Sequence, residues 1–371
     1  MDDGCRWAAG WHGGRSIMRI FIYGETGKFA SGAWCYAETL RDMGHEVSTF
    51  QDSWGLEHYS RSLLWRAIRK LNRGPLGQHR KRHVDAFIHE VQAVKPEIVI
   101  VLKGMQLGRA DVRRVKDSAA WVVNLNHDDF FSVNRNNWTW LQHEALPAYD
   151  HVFTTRTVNV DEIRPLNRSV SFLEFAYYPK IHHPEPIASD EAARWNVDVV
   201  FVGTWERPRA LTLERLVLRV PSRYAIYGTQ WHKLSRSSPL RRFVRGGEIV
   251  GDAFNKALGG AKIALGFLRK QNRDDYTQRT FEIPACGGFL LGERTARHLS
   301  YYREGEEAVF FDPDDPDELV RAVQGLLRND TRREGIRQAG MRRLARGNHT
   351  YADRMTTLLE LHAEAMGKSV A

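Results

Sequence analysis

The sequence predicts an α/β chain of two Rossmann-like parallel-sheet domains facing a central cleft, and three observations carry that reading. From Met18 to Phe50 the chain runs apolar strand, glycine turn, helix and second strand, the order in which a nucleotide fold begins. The run Ile98-Val99-Ile100-Val101-Leu102 is apolar without alternation, as in a parallel strand covered on both faces. After a proline-rich stretch, Val197–Gly203 repeats the strand-then-glycine opening, and 371 residues suffice for two cores. The expected boundaries are a loose extension at 1–17, domains at 18–184 and 185–355, and a C-terminal helix and tail at 356–371.

Composition narrows the class. A hydrophobic share of 42% and an aromatic share of 11% describe an ordinary globular chain, and no apolar run is long enough to span a bilayer. MDDGCRWAAGWHGGRSI lacks the apolar core of a signal peptide. Cys5, Cys35 and Cys286 include no close pair, which argues against a disulfide framework or a zinc site and favours a reducing cytoplasm. The net charge of +9 fits an acidic substrate, an anionic membrane surface or nucleic acid, and composition does not choose among them.

In the first half, Arg19–Tyr23 has buried-strand length and Gly24-Glu25-Thr26-Gly27 turns the chain. A helix follows through Ala33–Leu40 and stops at Gly44; His45–Phe50 is the second strand. The turn is not a P-loop: the first glycine of that motif would fall on Ile22, and Phe29 stands where Ser or Thr is needed. The basic stretch Leu63–His83 carries Arg66, Arg69, Lys70, Arg73, Arg80, Lys81 and Arg82, with apolar residues interleaved at helical spacing. A solvated helix face or a surface resting on anionic lipid accounts for it. Trp121–Asn126 is a further parallel strand ending in His127-Asp128-Asp129, and ligands of open α/β sheets bind at such carboxyl ends. His127 with Asp128 can serve as an acceptor base or hydroxyl clamp, or these residues cap the next segment. His151–Thr155 and Val170–Ala176 are strands. Pro179 to Pro186 is the linker candidate, and its adjacent His182 and His183 lack the spacing of a helical metal pair.

In the second half, Val197–Gly203 is followed by the loop Thr204–Arg209 and a helix over Ala210–Arg219. Tyr224–Gly228 is the next strand and turn. The run Lys233–Arg245 adds Arg236, Arg241, Arg242 and Arg245 as further anion contacts. Ala261–Phe267 feeds the most informative stretch, Asp274 to Leu291, read DDYTQRTFEIPACGGFLL. Asp275 and Gln278 fit a capping box at the start of a short helix closed by Gly287-Gly288. Arg279 and Glu282, three apart, share one helix face. Backbone N–H groups and Arg279 suit a phosphate, and Glu282 suits sugar hydroxyls.

This stretch resembles the nucleotide-sugar motif of GT-B glycosyltransferases, and most closely the CgeB-like (spore maturation) branch of the group 1, GT4-type, transferases. That branch reads roughly R-x-F-E-x-x-A-C-G-G before an apolar strand, and Arg279, Phe281, Glu282, Ala285, Cys286, Gly287 and Gly288 stand in place. GT4-type enzymes carry two glutamates flanking seven residues; here the pair is Asp274 and Glu282, one methylene shorter at the first position. Gly305–Asp312 resembles a further strand of these enzymes. Asn348-His349-Thr350-Tyr351 matches their tail, where His349 reads as part of a helix start.

The resemblance implies an N-terminal acceptor domain and a C-terminal nucleotide-sugar domain. The implied activity is transfer of a sugar from a nucleotide-diphosphate donor, with retention, no metal and no cofactor beyond the donor substrate. Asp274 would contact the donor sugar, Glu282 the ribose, and Thr277 the donor. Arg207, Arg209 and Arg279 would face the diphosphate, although Thr204 stands where the family has Arg. Tyr227 and Gly228 would lie near the base, and Asp128 or Asp129 near the acceptor. The loop of Gly27, Lys28 and Gly32 touches acceptor or phosphates, or is a plain turn. The acceptor is a glycan, lipid or protein, and the setting cytoplasmic, with peripheral contact at the inner face of the membrane open. The rivals are a sugar-nucleotide epimerase or hydrolase, a non-catalytic protein on the same fold, and a nucleic-acid binder. The last has eleven tryptophans and positive charge behind it but no recognition motif.

Overall fold

The computed structural model describes residues 16–52, 75–132 and 139–367. The 1–17 extension up to residue 15, and Arg66, Arg69, Lys70 and Arg73 with the apolar residues between them, lie outside the described residues. The chain divides into two compact units: residues up to Glu174 together with those from Arg354 onward, and Phe175–Asp353.

The first unit holds a six-stranded sheet in the order β2-β1-β3-β4-β5-β6. Its strands are β1 (Arg19–Gly24), β2 (Glu46–Gln51), β3 (Ile98–Leu102), β4 (Trp121–Asn126), β5 (His151–Thr154) and β6 (Val170–Phe172). Every pairing is parallel. All five residues of β3, an uninterrupted apolar run, and all six of β4, which includes Asn124 and Asn126, are buried, as central parallel strands covered on both faces are. The helix Gly32–Asp42 begins where Ser31 Oγ accepts from the Trp34 N–H, 3.1 Å. It ends at Gly44, whose φ of 86° turns the chain left-handed into β2. Helix Pro75–Val94 packs Val84, Phe87, Ile88 and Val91 against Phe21, Tyr23 and Val99.

The second unit repeats the plan: β7 (Val199–Val202), β8 (Tyr224–Tyr227), β9 (Val244–Gly246), β10 (Ile263–Gly266), β11 (Leu290–Glu293) and β12 (Val309–Phe311). All are parallel, in the order β12-β11-β10-β7-β8-β9. Counted within the unit this is the doubly wound order 3-2-1-4-5-6. Its core packs Phe201, Leu213, Leu216 and Ile226 with Leu265, Phe289, Leu291 and Leu319.

Three expectations shift. The contacts divide the chain at Glu174–Phe175, ahead of the expected boundary at 184/185, because the crossing is bound into the second unit. The Phe175 N–H donates to Tyr276 Oη at 2.9 Å, and Asn255 Nδ2 donates to the Ile181 carbonyl at 2.9 Å. The helix expected from Ala210 begins at Arg207 and runs to Arg219, since Pro208 in its first turn suits helical φ and needs no N–H partner. The Asp275–Gln278 capping box does not form. The helix starts at Arg279, and Asp275 instead pairs with Arg297 at 3.6 Å while its carbonyl accepts from Thr295 Oγ1 at 2.6 Å. A capping box does form at Thr350, whose Oγ1 accepts from the Asp353 N–H while Asp353 Oδ2 accepts from the Thr350 N–H. His349 thus lies at a helix start, stacked on Phe281 with centroids 4.6 Å apart.

Candidate functional site

Strand order reverses direction between β1 and β3 in the first unit and between β7 and β10 in the second, and open α/β sheets take ligands at the carboxyl ends beside such switch points. Each switch point here carries a polar cluster.

In the second unit, the Arg207–Arg219 helix starts from the end of β7 and the Arg279–Ala285 helix follows β10. Arg279 Nε donates to the Val202 carbonyl at the end of β7, 3.2 Å, and its guanidinium lies over the Phe254 ring, 4.6 Å from the centroid. Glu282, buried one turn on, pairs with Arg279, confirming the shared face expected from their spacing. His182 Nε2 lies 3.6 Å from Glu282 Oε1, while its Nδ1 accepts the Tyr178 N–H at 3.0 Å. Burial holds His182 below the ordinary imidazole range, so it stands neutral beside the carboxylate.

Arg209 is buried and bridges the switch point. Its Nη1 reaches the Thr204 carbonyl at 3.4 Å and its Nη2 the Phe267 carbonyl at 3.3 Å. Arg209 Nε and Trp205 Nε1 are buried without a hydrogen-bond partner among the described residues, as is Tyr227 Oη at the end of β8. Burial lowers the Arg209 guanidinium from its ordinary value, yet it remains a cation at neutral pH. Glu206 pairs with Arg269 at 2.6 Å, and Glu293, its carboxyl raised by burial, accepts the Leu268 N–H at 3.2 Å. Asp274 is half-buried, accepting from the Arg269 N–H at 3.3 Å and Asn272 Nδ2 at 3.1 Å.

The first-unit cluster lines a pocket of about 300 Å³ that includes Gly24, Glu25, Asp52, Lys103, His127 and Asp128. Lys103 and Gly104 both take left-handed backbone, φ 63° and 68°, an uncommon state for lysine. Gln142 Nε2 at 2.6 Å and Asn124 Nδ2 at 3.3 Å hold that turn by donating to the Lys103 carbonyl. Lys103 Nζ then pairs with Asp128 at 2.6 Å. His127 Nε2 meets Tyr36 Oη at 3.0 Å, and desolvation pushes its pKa down to about 4. Asp129 is fully buried, accepting from the Phe131 N–H at 2.9 Å and Asn159 Nδ2 at 2.8 Å.

Residues 207–360 match the family model described as Glycosyl transferase-like. No protein of curated function matches the chain in sequence. Sucrose-phosphate synthase from Thermosynechococcus elongatus superposes over 95% of this chain and 100% of its own, with a TM-score of 0.67 at 12% identity. Anabaena HepE, solved with UDP and glucose, covers 94% of this chain and 100% of its own, with a TM-score of 0.65 at 10% identity. Trehalose-6-phosphate synthase superposes over 93% of this chain and 99% of its own, with a TM-score of 0.62 at 12% identity. The fold is that of the GT-B glycosyltransferases.

On this GT-B frame, Arg209, Arg279 and Glu282 gather at the second-unit switch point, with Asp274 held in the turn before the Arg279 helix. Arg207 is exposed on the opening turn of its helix. Thr277 is half-buried, its N–H donating to Thr280 Oγ1 at 3.2 Å. Tyr227 ends β8, and Gly228 presses against the end of β7: a Cβ there would stand 2.0 Å from the Gly203 carbonyl oxygen. In the first unit Asp128 lines the pocket, and the Gly27 N–H donates to Gln51 Oε1. Lys103, Glu206 and His182 carried no sequence signal for a site. Lys103 is recognisable only from its left-handed turn, and His182 only once the crossing folds onto Glu282. Among the described residues no three His, Cys, Asp or Glu side chains are arranged to hold a metal ion, and no helix is long and apolar enough to cross a membrane.

Proposed function

We propose that this protein is a retaining glycosyltransferase of the group 1, CgeB-like kind, moving a sugar from a nucleotide-diphosphate donor to an acceptor hydroxyl in the cytoplasm. The observation that carries the reading is the pair of guanidiniums, Arg209 anchored to the Phe267 carbonyl just after β10 and Arg279 to the Val202 carbonyl at the end of β7, with buried Glu282 paired to Arg279. A cation at this place stabilises a departing diphosphate, whose negative charge grows as the anomeric C–O bond breaks. The N-terminus of the Arg207–Arg219 helix adds its dipole on the same side. Guanidiniums in these positions do the charge-neutralising work without a metal ion.

Glu282 accepts ribose hydroxyls, and Asp274 contacts the donor sugar. The acceptor hydroxyl forms the new bond to the anomeric carbon, and its proton leaves with the diphosphate. Support for a UDP-type donor comes from Anabaena HepE, solved with UDP-glucose, and support for retention from trehalose-6-phosphate synthase, studied for transfer with retention. The first-unit pocket, with Asp128 and Lys103, takes the acceptor.

A thermal-shift screen against UDP-, GDP- and TDP-sugars tests the donor site, because binding to the folded state raises its melting point. Nucleotide release measured with and without candidate acceptors then separates transfer from donor hydrolysis. No shift with any nucleotide sugar overturns the reading.

A further inference from the structure

The second unit holds another cavity, of about 420 Å³, within the size range of small-molecule sites. None of its lining residues belongs to the donor set. Four guanidiniums line it, from Arg303, Arg342, Arg343 and Arg346, against the single carboxylate of Glu307. That carboxylate is already spent: Oε1 accepts from Arg303 Nη2 at 3.0 Å and Oε2 from the Arg303 N–H at 2.9 Å. Arg343 is anchored by Nε to the Tyr301 carbonyl at 2.9 Å. Arg342 and Arg346, one helical turn apart, make no ion pair or side-chain hydrogen bond among the described residues. Cations in the last turn of the Asp330–Ala345 helix do offset its dipole. That role needs no cavity and no aromatic wall, and Tyr301 and Tyr302 supply one here.

We propose that this arginine-lined cavity binds a small phosphate-bearing anion at a site separate from the donor. Guanidiniums present planar forks that match phosphate oxygens, and the unpaired Arg342 and Arg346 have donors to give. The site also touches the donor helix. Pro284 has no N–H to offer the Thr280 carbonyl, and Tyr302 Oη donates to that carbonyl instead, 2.9 Å. A ligand against Tyr302 therefore stands one hydrogen bond from the helix that carries Arg279 and Glu282.

The test is a thermal-shift titration of the full chain with inorganic phosphate and pyrophosphate, on the wild type, on Arg279→Ala, and on Arg279→Ala carrying Arg342→Glu/Arg346→Glu as well. Pyrophosphate is expected to raise Tm by about 5 °C at a hundredfold excess over Kd in the wild type and to do so still in Arg279→Ala. In the Arg279→Ala background, where the donor site no longer holds its full set of guanidiniums, the rise should disappear once both arginines are replaced; far-UV circular dichroism should be unchanged, and each variant's own unliganded Tm is its baseline, because glutamates at the end of the helix oppose its dipole. A rise in Arg279→Ala that survives the added double substitution overturns the proposal. So does a rise abolished by Arg279→Ala, which would place all binding at the donor site, or no rise at all. Sedimentation with phosphatidylcholine vesicles containing phosphatidylglycerol distinguishes a headgroup surface. Capture by those vesicles without any response to soluble pyrophosphate overturns the small-molecule site.

Discussion

The two units share one architecture and differ in what stands at the switch point. Beside β7 and β10 the second unit places Arg209, Arg269 and Arg279, two of them tied to backbone carbonyls, among the carboxylates of Glu206, Asp274, Glu282 and Glu293. Beside β1 and β3 the first unit places Glu25, Asp52 and Asp128 around one ammonium, that of Lys103, and a neutral imidazole. The parallel sheet with helices on its faces makes the crevice in both cases, and side chains decide which charge it receives. An arginine crevice suits a leaving diphosphate, and a carboxylate-rich one suits hydroxyl groups.

The sharpest way to break this comparison is through glycine. Gly228→Ala puts a Cβ 2.0 Å from a backbone oxygen at a φ of 135°, so the second unit should fail to fold or lose more than about 10 °C of Tm. Gly27→Ala in the first unit meets only the flexible end of Gln51, and its Tm in the same scan should move by no more than about 2 °C. Equal losses would show that the two strand-end turns are built alike.

Chemistry separates the units next. Glu282→Gln and Arg279→Ala should each reduce transfer by roughly 10²- to 10³-fold and weaken donor binding. Asp128→Asn should reduce acceptor-dependent turnover while leaving the thermal shift with donor unchanged. Normal turnover in purified Glu282→Gln and Arg279→Ala would remove the donor assignment. A smaller effect distinguishes the adjacent aspartates. Asp129→Ala leaves the buried Phe131 N–H without its acceptor and the Asn159 amide with Glu162 alone, and should cost about 1–3 kcal/mol in urea unfolding, whereas Asp128→Ala should cost little stability.

The weakest test is pH. Burial pushes both His127 and His298 down to about 4, one in each unit. Each is neutral when folded and takes a proton more readily when unfolded, at an ordinary pKa of about 6.5. Their contribution is therefore complete above about 6.5 and declines as pH falls toward 4. His298→Gln should flatten that decline in denaturant melts across this window. An unchanged slope would mean that other groups set the acid limit.

Much of the second-unit cluster was legible in sequence because it lies in one local stretch. Arg279 and Glu282 are three residues apart on a helix, and helical spacing alone puts them together. Arg209 was recognisable as a candidate, but its burial was not, because that depends on the helix starting at Arg207 and turning it inward. The first-unit cluster was harder to see. Lys103 and Asp128 come from different strand ends, and only sheet order brings those ends together.

By itself the sequence determined the alternation of strands and helices, the parallel character of the central strands and the pairing of Arg279 with Glu282. These follow from hydrophobic period and residue spacing, which act over a few residues of chain. Only the tertiary structure decided which of Asp128 and Asp129 lines a pocket, that the proline-rich crossing joins the second unit, and that His182 stands beside Glu282. Those outcomes depend on side chains distant in sequence meeting where two strands diverge, and no local pattern encodes that meeting.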